Sequence, residues 1–253
     1  MAPLVMGLLG VILGSFANVV IYRAPKGLSV VKPPSHCTDC EHFLEWYENI
    51  PVFSFVFLRG RCKGCGAPIS ARYPLIELIM GMVWAATTYR IGLSPALPMF
   101  LFFVTILVVL SAIDLEVRRL PNKVLWPASI AAVALGLAAA LISRDLTNLS
   151  TALLGTLAYG LPMLGIGLAV PGGMGGGDIK FAGYLGWHLG WLGLGRVAVG
   201  ALLGFILGGL LGIALLLAGR KGRKDAIPFG PSMAFGAFVS MLVGNLVLTA
   251  WLG

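Results

Sequence analysis

Charge is what this sequence lacks. Only 11% of its 253 residues are Asp, Glu, Lys or Arg, against roughly a quarter in an ordinary soluble domain. Acids are the scarcer sign, ten in all. With 58% hydrophobic residues and a mean hydropathy of +0.93, that shortage excludes a water-soluble globular domain and predicts an integral membrane protein. Cysteine is also rare, four residues all between positions 37 and 65, which excludes a disulfide framework spread over the chain. No G-x-G-x-x-G stretch and no long-period repeat occurs, so neither a dinucleotide fold nor a solenoid is indicated. The first apolar run has no basic segment before it, is followed by Arg23 and shows no A-x-A site, so it is read as a retained helix and not a cleaved signal.

What is present is a series of apolar runs at about residues 4–22, 75–91, 96–113, 124–142, 150–170, 179–195, 197–218 and 227–252. Each is of the order of the roughly 20 residues that cross a ~30 Å hydrocarbon core. The expected fold is all-α and polytopic, with about eight transmembrane helices. The net charge of +8 matters by position more than by sum. Fifteen of the 18 Lys and Arg fall in segments 23–74, 114–123, 171–180 and 219–226, and only Arg90, Arg144 and Arg196 lie in the alternate connections. The positive-inside rule then places the first group in the cytoplasm and both termini outside. The basic excess is assigned to topology, with no nucleic-acid partner expected. The chain divides into a first helix at 1–22, a cytoplasmic insert at 23–74 and a seven-helix membrane domain at 75–253.

The insert holds "CTDC" (Cys37, Cys40) and "CKGC" (Cys62, Cys65). Two C-x-x-C pairs at this separation supply four thiolates for tetrahedral zinc. The alternative, two disulfides, conflicts with the reducing compartment that the charge distribution assigns to the insert. A four-cysteine site leaves no open coordination position, so the zinc is expected to be structural, a staple for a segment too short to bury much core. His36 and His42 flank the first pair and are read as polar surface residues. Gly64 and Gly66 let the chain turn about the metal.

Ionisable groups within spans are costly and commonly functional. Those here are Glu77, Asp114, Asp178, Lys180 and His188. Asp114 ends the third run in "LSAIDLEVRRLPN" and Asp178 begins the sixth in "PGGMGGGDIK", so the topology puts both at the same cytoplasmic face. Paired carboxylates in a partly desolvated place can activate a water and protonate a carbonyl, the chemistry of aspartic proteases. The glycines before Asp178 would admit an extended peptide backbone. Gly200, Gly204, Gly208 and Gly212, four apart, read as a helix-packing stripe, and His188 as a packing residue. Glu77 has two readings, pairing with Arg72 or facing the site, and the sequence does not choose.

In "GSFANVVIYR", the paired C-x-x-C insert, "ISARYPLIEL", "DLEVRRLPN", "GGGDIK" and "IPFGPSMAFG", the chain resembles the type IV prepilin peptidases, membrane aspartic proteases of the G-x-G-D class. The resemblance implies that Asp114 and Asp178 are the catalytic pair and that Gly175 and Gly177 belong to the motif; with Lys180 these glycines are assigned to the substrate cleft. It implies prepilin or pseudopilin substrates, cut at the junction of a basic leader and a hydrophobic helix, in a bacterial cytoplasmic membrane. It also implies N-methylation of the new terminus with S-adenosylmethionine, because members with the four-cysteine insert resemble the bifunctional kind. No methyl-donor motif is visible in the sequence, so that second activity comes from the resemblance alone. A peptidase without methylation, and a proton-coupled carrier built on broken glycine-rich helices, are the alternatives.

Overall fold

The computed structural model describes residues 1–170, 174–218 and 228–252. Residues 171–173 and the basic stretch 220–224 of the charge argument lie outside them. Two compact units, Met1–Leu93 and Ser94–Gly253, divide the chain, and no strand occurs among the described residues.

The first unit is an antiparallel helix pair with the insert at one end. Helix α1 (Ala2–Arg23) opens with proline in its first turn, where the missing N–H costs nothing. It gives way to the turn that begins at Ala24 and Pro25. It lies against α3 (Arg72–Ile91) through Gly10 and Gly14 on one side and Gly81 on the other. A Cβ at Gly14 would stand 2.6 Å from the Glu77 Cα, and one at Gly10 2.8 Å from the Met80 carbonyl oxygen. Small residues four apart thus let two backbones approach closely, the usual means of helix association where lipid supplies no hydrophobic drive. Within the insert a short 3-10 turn (Trp46–Asn49) precedes α2 (Phe53–Phe57). The Asn18 amide donates to the Tyr73 carbonyl at 3.1 Å, joining α1 to α3, and the Val52 N–H donates to Glu77 Oε2 at 2.7 Å, which ties the insert to the same end of α3.

The second unit contains α4 (Leu97–Val117), α5 (Asn122–Ser143), α6 (Thr147–Ala169), α7 (Gly176–Trp191), α8 (Leu194–Leu217) and α9 (Gly230–Leu252). Helix α4 is its centre, with Phe100, Phe103, Leu110 and Ile113 fully buried. Around it, helices pair where glycines remove the side chain between backbones: Gly155 of α6 faces Gly186 and Gly190 of α7, and Gly200 and Gly204 of α8 face Gly236 of α9. The first two members of the expected packing stripe therefore pack as read. His188 is fully buried and stacks on Phe103 at 4.1 Å between centroids, its Nδ1 within 2.9 Å of the Tyr184 carbonyl. Buried Arg196 donates to the carbonyls of Ser240 and Met241 and receives the Ser240 hydroxyl on its own carbonyl, which pins α8 to α9.

Eight long helices thus occupy the eight apolar runs. Six of them, α1, α4, α5, α6, α8 and α9, are long and apolar enough to cross a bilayer, and the chain is a multi-pass membrane protein. Helix α3 carries Arg72, Glu77 and Arg90, and α7 has 16 residues, about 24 Å at 1.5 Å per residue; these two fall short of an unaided span.

Candidate active site and metal centre

Four pieces of chain converge on the aspartates. Helix α4 ends after Val117 because Arg118 turns left-handed (φ 53°), with its N–H on the Asp114 carbonyl at 2.9 Å. Asp114 therefore sits in the last turn, only 4% exposed. The following link carries Leu120, itself buried, to Pro121 and the start of α5. Helix α7 starts at Gly176 with Gly175 as its N-cap, and Asp178 is its third residue, N–H on the Gly175 carbonyl at 3.0 Å. An acid there meets the positive end of the helix dipole. Helix α9 begins at Gly230, whose N–H donates to Asp114 Oδ2 at 3.0 Å.

The ends of α4 and α7 meet at Leu120, which a Cβ on Gly177, next to Asp178, would touch at 3.0 Å and one on Gly230, whose N–H holds Asp114, at 3.4 Å. The motif glycines have a local purpose. A Cβ on Gly175 would stand 2.9 Å from Asp178 Oδ2, one on Gly177 3.0 Å from the Leu120 Cβ, and one on Gly230 2.9 Å from Asp114 Oδ2. The space those glycines leave open is thus taken by the two carboxylates and by Leu120. Any larger residue would push on a carboxylate or on Leu120. Gly230 has no role in the sequence reading, although "IPFGPSMAFG" is among its quoted stretches. Its contact spans 116 positions of sequence and is made by a backbone N–H, which no side-chain pattern announces.

Lys180 points elsewhere. Its ammonium donates to Asn122 Oδ1 at 2.9 Å and lies over the Trp126 ring. It lines a groove of about 290 Å³ between α5, α6 and α7, whose walls include Tyr184 and Trp187 but neither aspartate. Glu77 resolves toward the insert: its carboxylate holds the Val52 N–H and it lines a cavity of the first unit.

The cysteines form one cluster. All four Sγ atoms lie within 4.8 Å of one another, with Cys37 to Cys65 and Cys40 to Cys62 both at 3.9 Å. That spacing is far beyond a disulfide of about 2.05 Å and close to the ~3.8 Å edge of a sulfur tetrahedron around zinc with 2.3 Å bonds. The cluster is compatible with zinc. Each pair rides on a similar turn. Cys37 N–H bonds the His42 carbonyl and Cys62 N–H the Ala67 carbonyl, while Glu41 and Gly66 return their N–H to Cys37 and Cys62 and take positive φ. Gly66 does so without strain; Glu41 holds the same left-handed position with a side chain. The backbone N–H groups of Cys65 and Gly64 lower the Cys62 thiol to about 7, whereas the thiols of Cys40 and Cys65, crowded by the other sulfurs, are raised. His42 reaches Glu48 at 3.0 Å and His36 lies against the Pro34 carbonyl, so neither belongs to the cluster.

Comparison with known proteins finds matches over most of the chain. Residues 8–91 match the Bacterial Peptidase A24 N-terminal domain, and residues 101–217 match the Type IV leader peptidase family. A prepilin leader peptidase/N-methyltransferase of Bacillus subtilis (strain 168) is 34% identical over 98% of this chain and 97% of its own length. One of Myxococcus xanthus (strain DK1622) is 40% identical over 85% of this chain and 64% of its own length, and one of Aeromonas hydrophila is 32% identical over 96% and 91%. No solved structure matches the chain.

Proposed function

The chain belongs to the type IV leader peptidase family, and from that premise we propose that Asp114 and Asp178 hydrolyse the leader junction of prepilins or pseudopilins. The observation that carries the reading is the carboxylate pair at the ends of α4 and α7, with the Gly230 N–H on one of its oxygens. In the reaction one carboxylate, ionised, takes a proton from water as its oxygen attacks the scissile carbonyl carbon. The other, protonated, gives its proton to the carbonyl oxygen. Collapse of the tetrahedral centre breaks the C–N bond, and the leaving amine takes the proton gained from water. The pair acts as one titrating unit, so the two roles belong to the pair. The Gly230 N–H fixes the Asp114 carboxylate, so that its geometry is set before substrate arrives.

Eight helices crossing the inner membrane, with insert and aspartates on the cytoplasmic side, agree with the distribution of Lys and Arg. In that topology the site stands where a basic leader in the cytoplasm meets a hydrophobic helix in the bilayer. Zinc held by Cys37, Cys40, Cys62 and Cys65 closes the insert and takes no part in hydrolysis. The relatives' shared name extends the reading to N-methylation of the new amino terminus, for which S-adenosylmethionine supplies the methyl group. The test is incubation of the purified protein in liposomes with a prepilin-type substrate and S-adenosylmethionine, followed by mass spectrometry. Loss of the leader mass plus a gain of about 14 Da, one methyl in place of hydrogen, is the expected product. An intact substrate would refute the peptidase reading, and ion flux without cleavage would favour a carrier.

A further inference from the structure

Several large apolar side chains of the insert lie on its outside. Trp46 is 77% exposed, Phe53 77%, Val56 68% and Phe57 86%. Phe53, Val56 and Phe57 fall three and four apart in α2, which puts them on one side of that helix. The other side faces the insert: Ser54 is buried with its hydroxyl on the Tyr47 carbonyl, and the Phe55 ring lies where a Cβ on Gly60 would meet it at 3.1 Å. The 3-10 turn that carries Trp46 packs against α2. A clustered apolar patch of this kind marks a protein or membrane contact.

The hydrogen bonds of the segment fix its depth. Val52, the residue before α2, donates its N–H to Glu77, five residues inside α3 from Arg72. Ser15, eight residues inside α1 from Arg23, donates its hydroxyl to Asn49 Oδ1 at 3.4 Å. At 1.5 Å per residue these two points stand about 7 to 8 Å and about 12 Å from the helix ends. The stretch 46–57 therefore runs back alongside the α1–α3 pair and not beyond it. Helix α1 has 22 residues, about 33 Å, and fills a ~30 Å hydrocarbon core with little to spare, so the exposed rings stand at the boundary between headgroups and acyl chains.

We propose that α2 and the turn before it are an interfacial anchor, seated in an anionic lipid surface with Trp46, Phe53, Val56 and Phe57 among the upper acyl chains. The proposal rests on α1 crossing the bilayer with the insert on its cytoplasmic side, as proposed above. Depth, side-chain type and charge agree with it. Amphipathic segments that lie in the membrane plane bury their apolar face about 5–10 Å into this boundary, and tryptophan is enriched there. Arg59, Arg61 and Lys63 follow α2 directly and are exposed, and no acid occurs between Glu48 and Glu77, the charge pattern that anionic headgroups attract. A second copy of the chain is a poorer partner. From the size of aromatic side chains, the three rings offer about 500 Å², short of the ~800 Å² per partner of a stable protein interface.

The test places p-benzoylphenylalanine, which inserts into nearby C–H bonds on irradiation, at position 57 of the zinc-loaded full chain in nanodiscs of phosphatidylethanolamine and phosphatidylglycerol. The same group at position 55, on the inward side of α2, is the comparison. Intact-mass spectrometry is expected to show adducts one lipid heavier, at least fivefold more abundant from position 57 than from position 55. Equal lipid labelling at both positions, or none at position 57, would overturn the anchor, and a linked dimer would give the surface to a second copy instead. A variant free of the bulky probe, Phe53→Ser with Phe57→Ser, is expected to be cut by trypsin after Arg59 and Arg61 at least fivefold faster in the same nanodiscs, with its zinc content unchanged. A wild-type rate of cutting would also overturn the anchor. Lipid adducts report depth and not side, so an inverted topology, read separately by impermeant labelling of the links between helices, would leave this result as it stands.

Discussion

At the scale of single residues, the account turns on how little room surrounds the carboxylates. Gly230→Ala places a Cβ 2.9 Å from Asp114 Oδ2, so the carboxylate or the start of α9 must shift. Displacements of this kind cost of the order of 10²-fold in rate even away from the chemistry. We expect leader cleavage by Gly230→Ala to fall between tenfold and a hundredfold, with thermal unfolding little changed. Unaltered turnover would show that the Gly230 contact does not set the geometry. In the insert, Glu48 is held below the usual carboxylate range by the backbone N–H of Glu45 and then by His42. A depressed folded value contributes stability that is present above the unfolded value, about 4.3, and is lost as pH falls through the folded one. Glu48→Gln should therefore lower the unfolding temperature of the insert at pH 7, and the gap to wild type should close as pH drops below about 4. A gap independent of pH would contradict the ionised role. Which acids matter was legible in the sequence, because charge is so scarce that each one stands out. What holds Asp114 was not legible, because its partner is a backbone N–H of a distant glycine.

Elements are where the sequence was most informative, since an apolar run long enough to cross lipid must be a helix if its backbone groups are to be satisfied. Each of the eight runs holds a helix, with ends displaced by a few residues: the run at 179–195 is the helix Gly176–Trp191, and that at 197–218 is Leu194–Leu217. The first shift matters, because it moves Asp178 from the start of the run to the third position of the helix, still on the positive end of the dipole. Inside the insert no periodic pattern announces the 3-10 turn or α2, whose places are set by side-chain contacts such as the Ser54 hydroxyl on the Tyr47 carbonyl. Two element-level outcomes follow from the packing. Gly14→Val should drive α1 from α3, at about 1–3 kcal/mol for an overpacked contact, seen as lower yield and a lower unfolding temperature; wild-type stability would deny the close approach. Cys37→Ser or Cys62→Ser should lose bound zinc by metal analysis and destabilise the insert, because the ligands close it. Full zinc content in both variants would refute the four-thiolate centre.

Over the whole chain, the candidate sites fall in two compact units, Met1–Leu93 and Ser94–Gly253, a division that puts α3 with the insert and not, as the sequence reading has it, with the membrane domain at 75–253. The first carries the metal ligands and the cavity that Glu77 lines, the second the carboxylate pair. The topology is testable on its own terms. A cysteine introduced at Asp145, in the link between α5 and α6, should react with an impermeant maleimide from outside intact cells in a background where the insert cysteines do not. Labelling from the opposite side would invert the orientation read from Lys and Arg.

The most direct measurement is leader cleavage by wild type, Asp114→Asn and Asp178→Asn, reconstituted in liposomes and matched for folding by thermal unfolding. The asparagines keep the size of the carboxylates and the acceptor for the Gly230 N–H while removing the proton chemistry. Wild-type cleavage at the leader junction with both variants folded and at least 10³-fold slower, the scale on which an essential acid or base acts, is the predicted result. Cleavage at the wild-type rate by either folded variant would contradict the claim that these two aspartates are the catalytic pair.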